Sequence, residues 1–113
     1  MRIDSHQHFW KFDPIRDSWI NKSMIKIRKD FLPEDLIVTL TENKIDGCIA
    51  VQADQSIEET KFLLDHAAKN SFIKGVVGWV DLCDGNVKHT LEYYTKNRFF
   101  KGVRHIVQAE PKG

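Results

Sequence analysis

The chain is short of several things, and each shortage excludes something. No apolar run approaches the roughly 20 residues of a membrane-spanning helix, and no signal-peptide core opens the chain, so no membrane partner is expected and a cytoplasmic location is. Net charge is almost absent, since 17 basic residues against 16 acidic ones leave +1. So balanced a surface does not suggest nucleic acid or an acidic membrane as partner. Cysteine is scarce: Cys48 and Cys83 lie 35 residues apart and have no metal-ligand spacing, which predicts two buried thiols in a reducing cytosol. No glycine-rich phosphate loop follows any strand-like segment, and that counts against the nucleotide-binding open sheets.

What is present is enough for one folded domain over residues 1–113, with 42% hydrophobic and 29% charged residues. Strands are expected near 2–8, 47–53, 73–80 and 99–107, and helices near 33–44, 57–70 and 85–96. Pro33 with Glu34 and Asp35 marks the start of the first helix, where acidic groups meet the positive end of the dipole. Ser56 followed by Glu59 is a capping-box pattern at the start of the second. The stretch Ile45–Ala53 is apolar nearly throughout, as a strand buried on both faces requires. Residues 9–32 show no clear period and suggest a lid or pocket wall, or else a packing excursion containing a short helix.

One phrase recurs three times. Ile45-Asp46-Gly47-Cys48, Ile73-Lys74-Gly75-Val76 and Phe100-Lys101-Gly102-Val103 each read apolar, charged, glycine, small apolar, with the glycines 28 and 27 residues apart. A period near 30 residues with one strand and one helix per copy is the βα unit of a parallel α/β fold. An open doubly wound sheet and a (β/α)8 barrel both fit, the barrel needing about 250 residues. Polar residues gather where the strands end, and in a barrel those ends hold the active site.

The candidate site begins at Ile3-Asp4-Ser5-His6-Gln7-His8-Phe9-Trp10. Side chains two apart in a strand share a face, so His6 and His8 could converge on one divalent metal ion, with zinc the first candidate. Counted from the repeat glycines, Gln52 and His105 have the same parity, which predicts a common face. Arg104 should point the other way unless a bulge or the strand end turns it back. Trp10 and Trp19 suit either core or lid packing or a platform on which a ligand stacks. His66 and His89 are expected on solvated helix surfaces, as are Glu58, Glu59 and Lys61.

The opening segment, the Val51-Gln52-Ala53 strand end and Lys101-Gly102-Val103-Arg104-His105-Ile106-Val107-Gln108 together resemble the amidohydrolase superfamily. They are closest to the amidohydrolase-2 group, which contains sugar lactonases. The resemblance runs the length of the chain. It implies a TIM-type (β/α)8 barrel, of which this stretch would be the N-terminal half of about four βα units. It also implies hydrolysis of an aldono-lactone ester, with His6 and His8 at the metal and Gln52, Arg104, His105 and Trp10 toward substrate. No complete catalytic set is present, because the family's later histidines and its aspartate base have no counterpart here. Three readings stay open at this point: part of a lactonase, a homodimer closed through the open barrel edges with a histidine metal site at the interface, and a non-catalytic α/β domain.

Overall fold

The computed structural model describes residues 1–112; Gly113, the last residue of the expected domain, lies outside the described residues. Four strands, β1 (Ile3–Gln7), β2 (Gly47–Val51), β3 (Ile73–Gly78) and β4 (Phe100–Val103), alternate with three helices, α1 (Pro33–Glu42), α2 (Ile57–Lys69) and α3 (Val87–Thr95). The strands form one parallel sheet in the order β1-β2-β3-β4. This is the expected succession of βα units, laid out as part of a barrel wall.

Helix starts follow from local chemistry. Pro33 opens α1, and the Asp35 carboxylate accepts the Leu32 N–H at 3.0 Å. Leu32 has no polar side chain to reciprocate, so only half a capping box forms. At the other end Lys44 adopts φ 55°, and the N–H groups of Lys44 and Ile45 return to the carbonyls of Thr41 and Leu40 at 3.1 and 2.9 Å. That is a Schellman turn with lysine at the position where glycine would be unstrained. In α2, Ser56 Oγ accepts the Glu59 N–H at 3.2 Å.

One face of the sheet is packed. Cys48, Ala50, Ile73, Val76 and Phe100 meet Leu40, Leu63, Leu64 and Ala67 from the helices in a single buried cluster. Gly78 has no side chain because Thr60 of α2 occupies that space: a Cβ there would lie 2.8 Å from Thr60 Oγ1. The hydroxyl donates to the Trp79 carbonyl at 2.7 Å and accepts the Trp79 N–H at 2.8 Å. That pairing ends β3 at Gly78, two residues before the expected end.

The opposite face has no helix on it. The molecule measures 45 × 39 × 20 Å with a radius of gyration of 15.0 Å, against about 13 Å for a compact chain of this length. Its thin dimension has room for one sheet and one layer of helices. The expected fourth strand is also shorter than 99–107. After Val103 the chain leaves the sheet, the Ile106 N–H goes to the Gln55 side chain, and a 3₁₀ turn follows at Val107–Ala109.

Between β1 and α1 the excursion is closed at its base. Trp10 and Phe31 exchange both backbone hydrogen bonds, at 2.9 and 2.8 Å, and their rings lie 4.6 Å apart. Within it Asp13 and Asp17 organise a turn, with Arg16 paired to Asp17 at 2.8 Å, and a kinked 3₁₀ segment runs over Lys22–Ile27. Among the described residues no helix is long and apolar enough to cross a membrane.

Candidate active site at the carboxyl ends of the strands

His6 lies in β1 and His8 just past its end. β1 carries an extra residue relative to β2 between Asp4 and Gln7, and a bulge of that kind re-aims side chains. The Asp4 carboxylate sits behind it, accepting the His6 N–H at 3.0 Å and the Gln7 side-chain amide. The two imidazoles converge, with Nε2 to Nε2 at 3.1 Å and the rings nearly perpendicular at 81°.

Hydrogen-bond chemistry assigns the tautomer of His8. Its Nδ1 lies 2.9 Å from the Val51 carbonyl, which can only accept, so Nδ1 carries the hydrogen and Nε2 presents a lone pair. Burial holds the His8 pKa below the usual imidazole value; the Val51 bond opposes this, and His6 and Arg104 add to it. His8 is therefore a neutral, ligand-ready imidazole at neutral pH. His6 Nε2 then either donates to the His8 lone pair or turns its own lone pair toward it, and only the second arrangement suits a shared cation.

Arg104 and Gln52 lock together across the sheet. Arg104 Nη2 donates to the Gln52 carbonyl at 2.6 Å and to Gln52 Oε1 at 2.9 Å, and Gln52 Nε2 donates back to the Arg104 carbonyl at 3.1 Å. This directs Nη1 toward His6 Nε2 at 3.4 Å. Arg104 therefore joins Gln52 and the histidines, contrary to the parity expectation. The physical reason is the strand end: β4 stops at Val103, so Arg104 lies past the ladder, where alternation no longer sets its facing. Gln52 is 0% exposed, and its amide is spent on holding Arg104.

His105 is held elsewhere. Trp79 Nε1, a donor only, lies 3.0 Å from His105 Nδ1, and His105 Nε2 lies 2.6 Å from Glu110 Oε1. Nδ1 must accept, so Nε2 carries the hydrogen and donates to Glu110. Both ring nitrogens are engaged, one as acceptor and one as donor, and it does not join the His6–His8 pair. Trp10 is partly buried, and its indole N–H has no protein partner. It lines a cleft of about 250 Å³ together with His8, Arg16, Trp19, Asp54 and Arg104.

Sequence reasoning missed two residues here. Glu59 was expected on a solvated helix face but is buried, its carboxylate accepting the N–H groups of Ala53 and Asp54 at 2.8 Å each. Burial raises its pKa, against those two bonds. The Ser56–Glu59 pattern was the available signal, since it places Glu59 in the first turn directly beneath the β2 strand end. Trp79 had only its position after β3 to mark it.

As a metal centre the donor set fits in part. Two tetrahedral zinc ligands at 2.0–2.1 Å would stand about 3.3 Å apart, close to the observed 3.1 Å. The Val51 carbonyl supplies the usual outer partner of a ligating histidine. Among the described residues no third His, Cys, Asp or Glu completes a group.

No family model matches the chain. It is 35% identical over 107 residues to an L-fucono-1,5-lactonase of Burkholderia ambifaria, covering 95% of this chain and 37% of that protein. It is 36% identical over 110 residues to an L-fucono-1,5-lactonase of Burkholderia multivorans, covering 97% of this chain and 37% of that protein. The crystal structure of an amidohydrolase from Burkholderia multivorans with bound zinc superimposes with a TM-score of 0.92 at 35% identity, over 97% of this chain and 38% of that one. A second crystal form of it, with bound HEPES, gives 0.91. The likeness to lactonase-type amidohydrolases thus extends along nearly the whole sequence. The chain spans somewhat more than a third of the length of the proteins it matches.

Proposed function

We propose that this chain supplies part of the active site of a sugar-lactone hydrolase, holding a divalent metal, zinc in the first instance, on His6 and His8. The observation that carries the reading is the approach of two imidazole Nε2 atoms to 3.1 Å, one of them presenting a lone pair by hydrogen-bond logic. The zinc bound in the Burkholderia multivorans amidohydrolase supports the choice of metal. Zinc held there would act as a Lewis acid on the ester carbonyl. The chain's own residues bind and orient. The Arg104 guanidinium, fixed by Gln52, faces the pair and offers positive charge where an oxyanion develops. Trp10, part of the cleft wall beside His8, offers its ring to the apolar face of a sugar. His105, engaged by Trp79 and Glu110, shapes the rim of the site.

A catalytic zinc keeps three protein ligands and an open position, so a working site needs groups beyond those assembled here, a general base among them. Turnover of aldono-lactones by this chain alone is therefore expected to be negligible. Cys48 is buried as expected, whereas Cys83, in the turn after β3, is exposed, which corrects its expected burial. A second reading, pairing of two copies through the unpaired edges of β1 and β4, is favoured by those edges and tested by light scattering across concentrations.

The main reading is tested by titrating zinc into the purified chain by calorimetry. One zinc per chain is expected, with binding lost in the His6→Ala, His8→Ala double variant. Undiminished binding by that variant, or none by the natural chain, would overturn the assignment.

A further inference from the structure

The hollows of this surface differ in the sign of the charges that line them. The cleft beside His8 sets Arg16 and Arg104 against Asp17, Asp54 and Glu59. The groove between α2 and α3 sets Lys61 and Lys96 against Glu58 and Asp65. A third cleft, of about 490 Å³, has Lys69, Lys74 and Arg98 in its wall and no carboxylate. It lies where α2 ends and β3 and β4 begin, at the opposite end of the sheet from His6 and His8. Three like charges around one hollow repel until something neutralises them. In a chain of net charge +1 they are not the by-product of a generally basic surface. Among the described residues none of the three is in an ion pair; the pairs found are Arg16–Asp17 and His105–Glu110.

Each cation is placed by a different local device. Lys69 is the last residue of α2, where its charge meets the negative end of the dipole. Between the pairs Cys48–Ile73 and Ile49–Gly75, β3 has one residue more than β2, and that residue is Lys74. A bulged residue is re-aimed out of the ladder. The Lys74 stem lies against Gly47, where a Cβ would come within 2.9 Å of its Cγ and Cε, so the glycine of the first repeated phrase makes its room. The ammonium donates to the Ser71 carbonyl at 2.8 Å and keeps two more hydrogens to give. The Arg98 guanidinium lies 4.7 Å over the Phe99 ring, which uses its face and leaves its N–H edge for bidentate bonds. The floor is apolar: Ala67 and Ile73 are each 1% exposed, and Phe99 is half-buried. Such a low-dielectric floor strengthens the field of the cations above it.

We infer that this cleft binds a small phosphorylated ligand, its phosphate oxygens on Lys69, Lys74 and Arg98 and its apolar body against Phe99. A phosphate monoester, with about two negative charges and three acceptor oxygens, answers three cations better than a single carboxylate does. The volume falls within the roughly 300–1,000 Å³ of small-molecule sites. The inference does not rest on the lactonase reading.

The test is a titration of the purified, isotope-labelled chain, kept in EDTA, with phenyl phosphate and with inorganic phosphate, followed by amide chemical shifts. Saturable binding of one phenyl phosphate per chain is expected, with the largest shifts at Ser71, Lys74, Arg98 and Phe99. Inorganic phosphate should bind at the same amides about tenfold more weakly, for want of the apolar body. Lys74→Gln and Arg98→Gln should each weaken phenyl phosphate by about tenfold. Lys61→Gln removes the same charge from the mixed-sign groove and should leave the affinity unchanged. Absence of saturation, equal weakening by Lys61→Gln, or shifts centred on His6 and Arg104 would overturn the inference. So would equal affinity for the two probes, which would mark a site for a bare anion.

Discussion

The sheet has two faces built from alternate residues of the same strands, and they follow different rules. On the helix side Cys48, Ala50, Ile73 and Val76 are at most 1% exposed and sealed by Leu63 and Ala67. Burial there pushes the Cys48 thiol up to about 11. On the other side the strands present Ile49, glycines and the stems of Lys74 and Lys101, both lysines exposed. Parallel sheets are normally covered on both sides. The contrast teaches that the first face holds most of the chain's own stability, while the second adds little to it.

The largest expected effect would come from emptying the packed face. Leu63→Ala removes a side chain with no exposure at all and should cost about 3 kcal/mol, within the usual range of 2–5, read as a lower urea midpoint at unchanged slope.

A smaller effect sharpens the same contrast at Glu59, a carboxylate enclosed on the covered side. Its folded pKa is raised above the unfolded value, so the native state binds the proton more tightly. Its contribution is fully present below the unfolded carboxylate value and is lost as pH rises through the folded one. Glu59→Gln keeps an oxygen to accept from Ala53 and Asp54 and removes the charge. Its stability relative to the natural chain should therefore rise with pH across that window, by no more than about 1 kcal/mol, in urea titrations run at a series of pH values.

The smallest effect is expected on the bare face. Lys101→Ala removes only an exposed stem lying over Gly75 and should change stability by less than about 0.5 kcal/mol. A loss comparable to that of Leu63→Ala would break the distinction between the faces.

Much of this could be read from residue order. The three glycine phrases announced the βα repeat, Pro33 and Ser56 marked helix starts, and the apolar run Ile45–Ala53 marked a strand. What escaped was whatever lies past the end of a strand. Alternation predicts facing only within the ladder; β4 ends at Val103, and so Arg104 arrived beside Gln52 and His6. Glu59 escaped because its charge suggested water, whereas its place in the first turn of α2 supplied two backbone donors that make burial tolerable. His105 escaped because its partners Trp79 and Glu110 come from separate segments.

The clasp between Trp10 and Phe31 has a consequence for how such a site could diversify. Because the two residues exchange both backbone hydrogen bonds, the excursion begins and ends at one place. Its interior behaves as a cassette. Doubling the length of a loop already closed at its base adds only about 0.6 kcal/mol of closure entropy, and the strand carrying His6 does not move. Arg16 and Trp19, which form one wall of the cleft beside His8, both ride on that cassette. The wall can be exchanged while the imidazoles keep their places, separating what the site grips from what it selects.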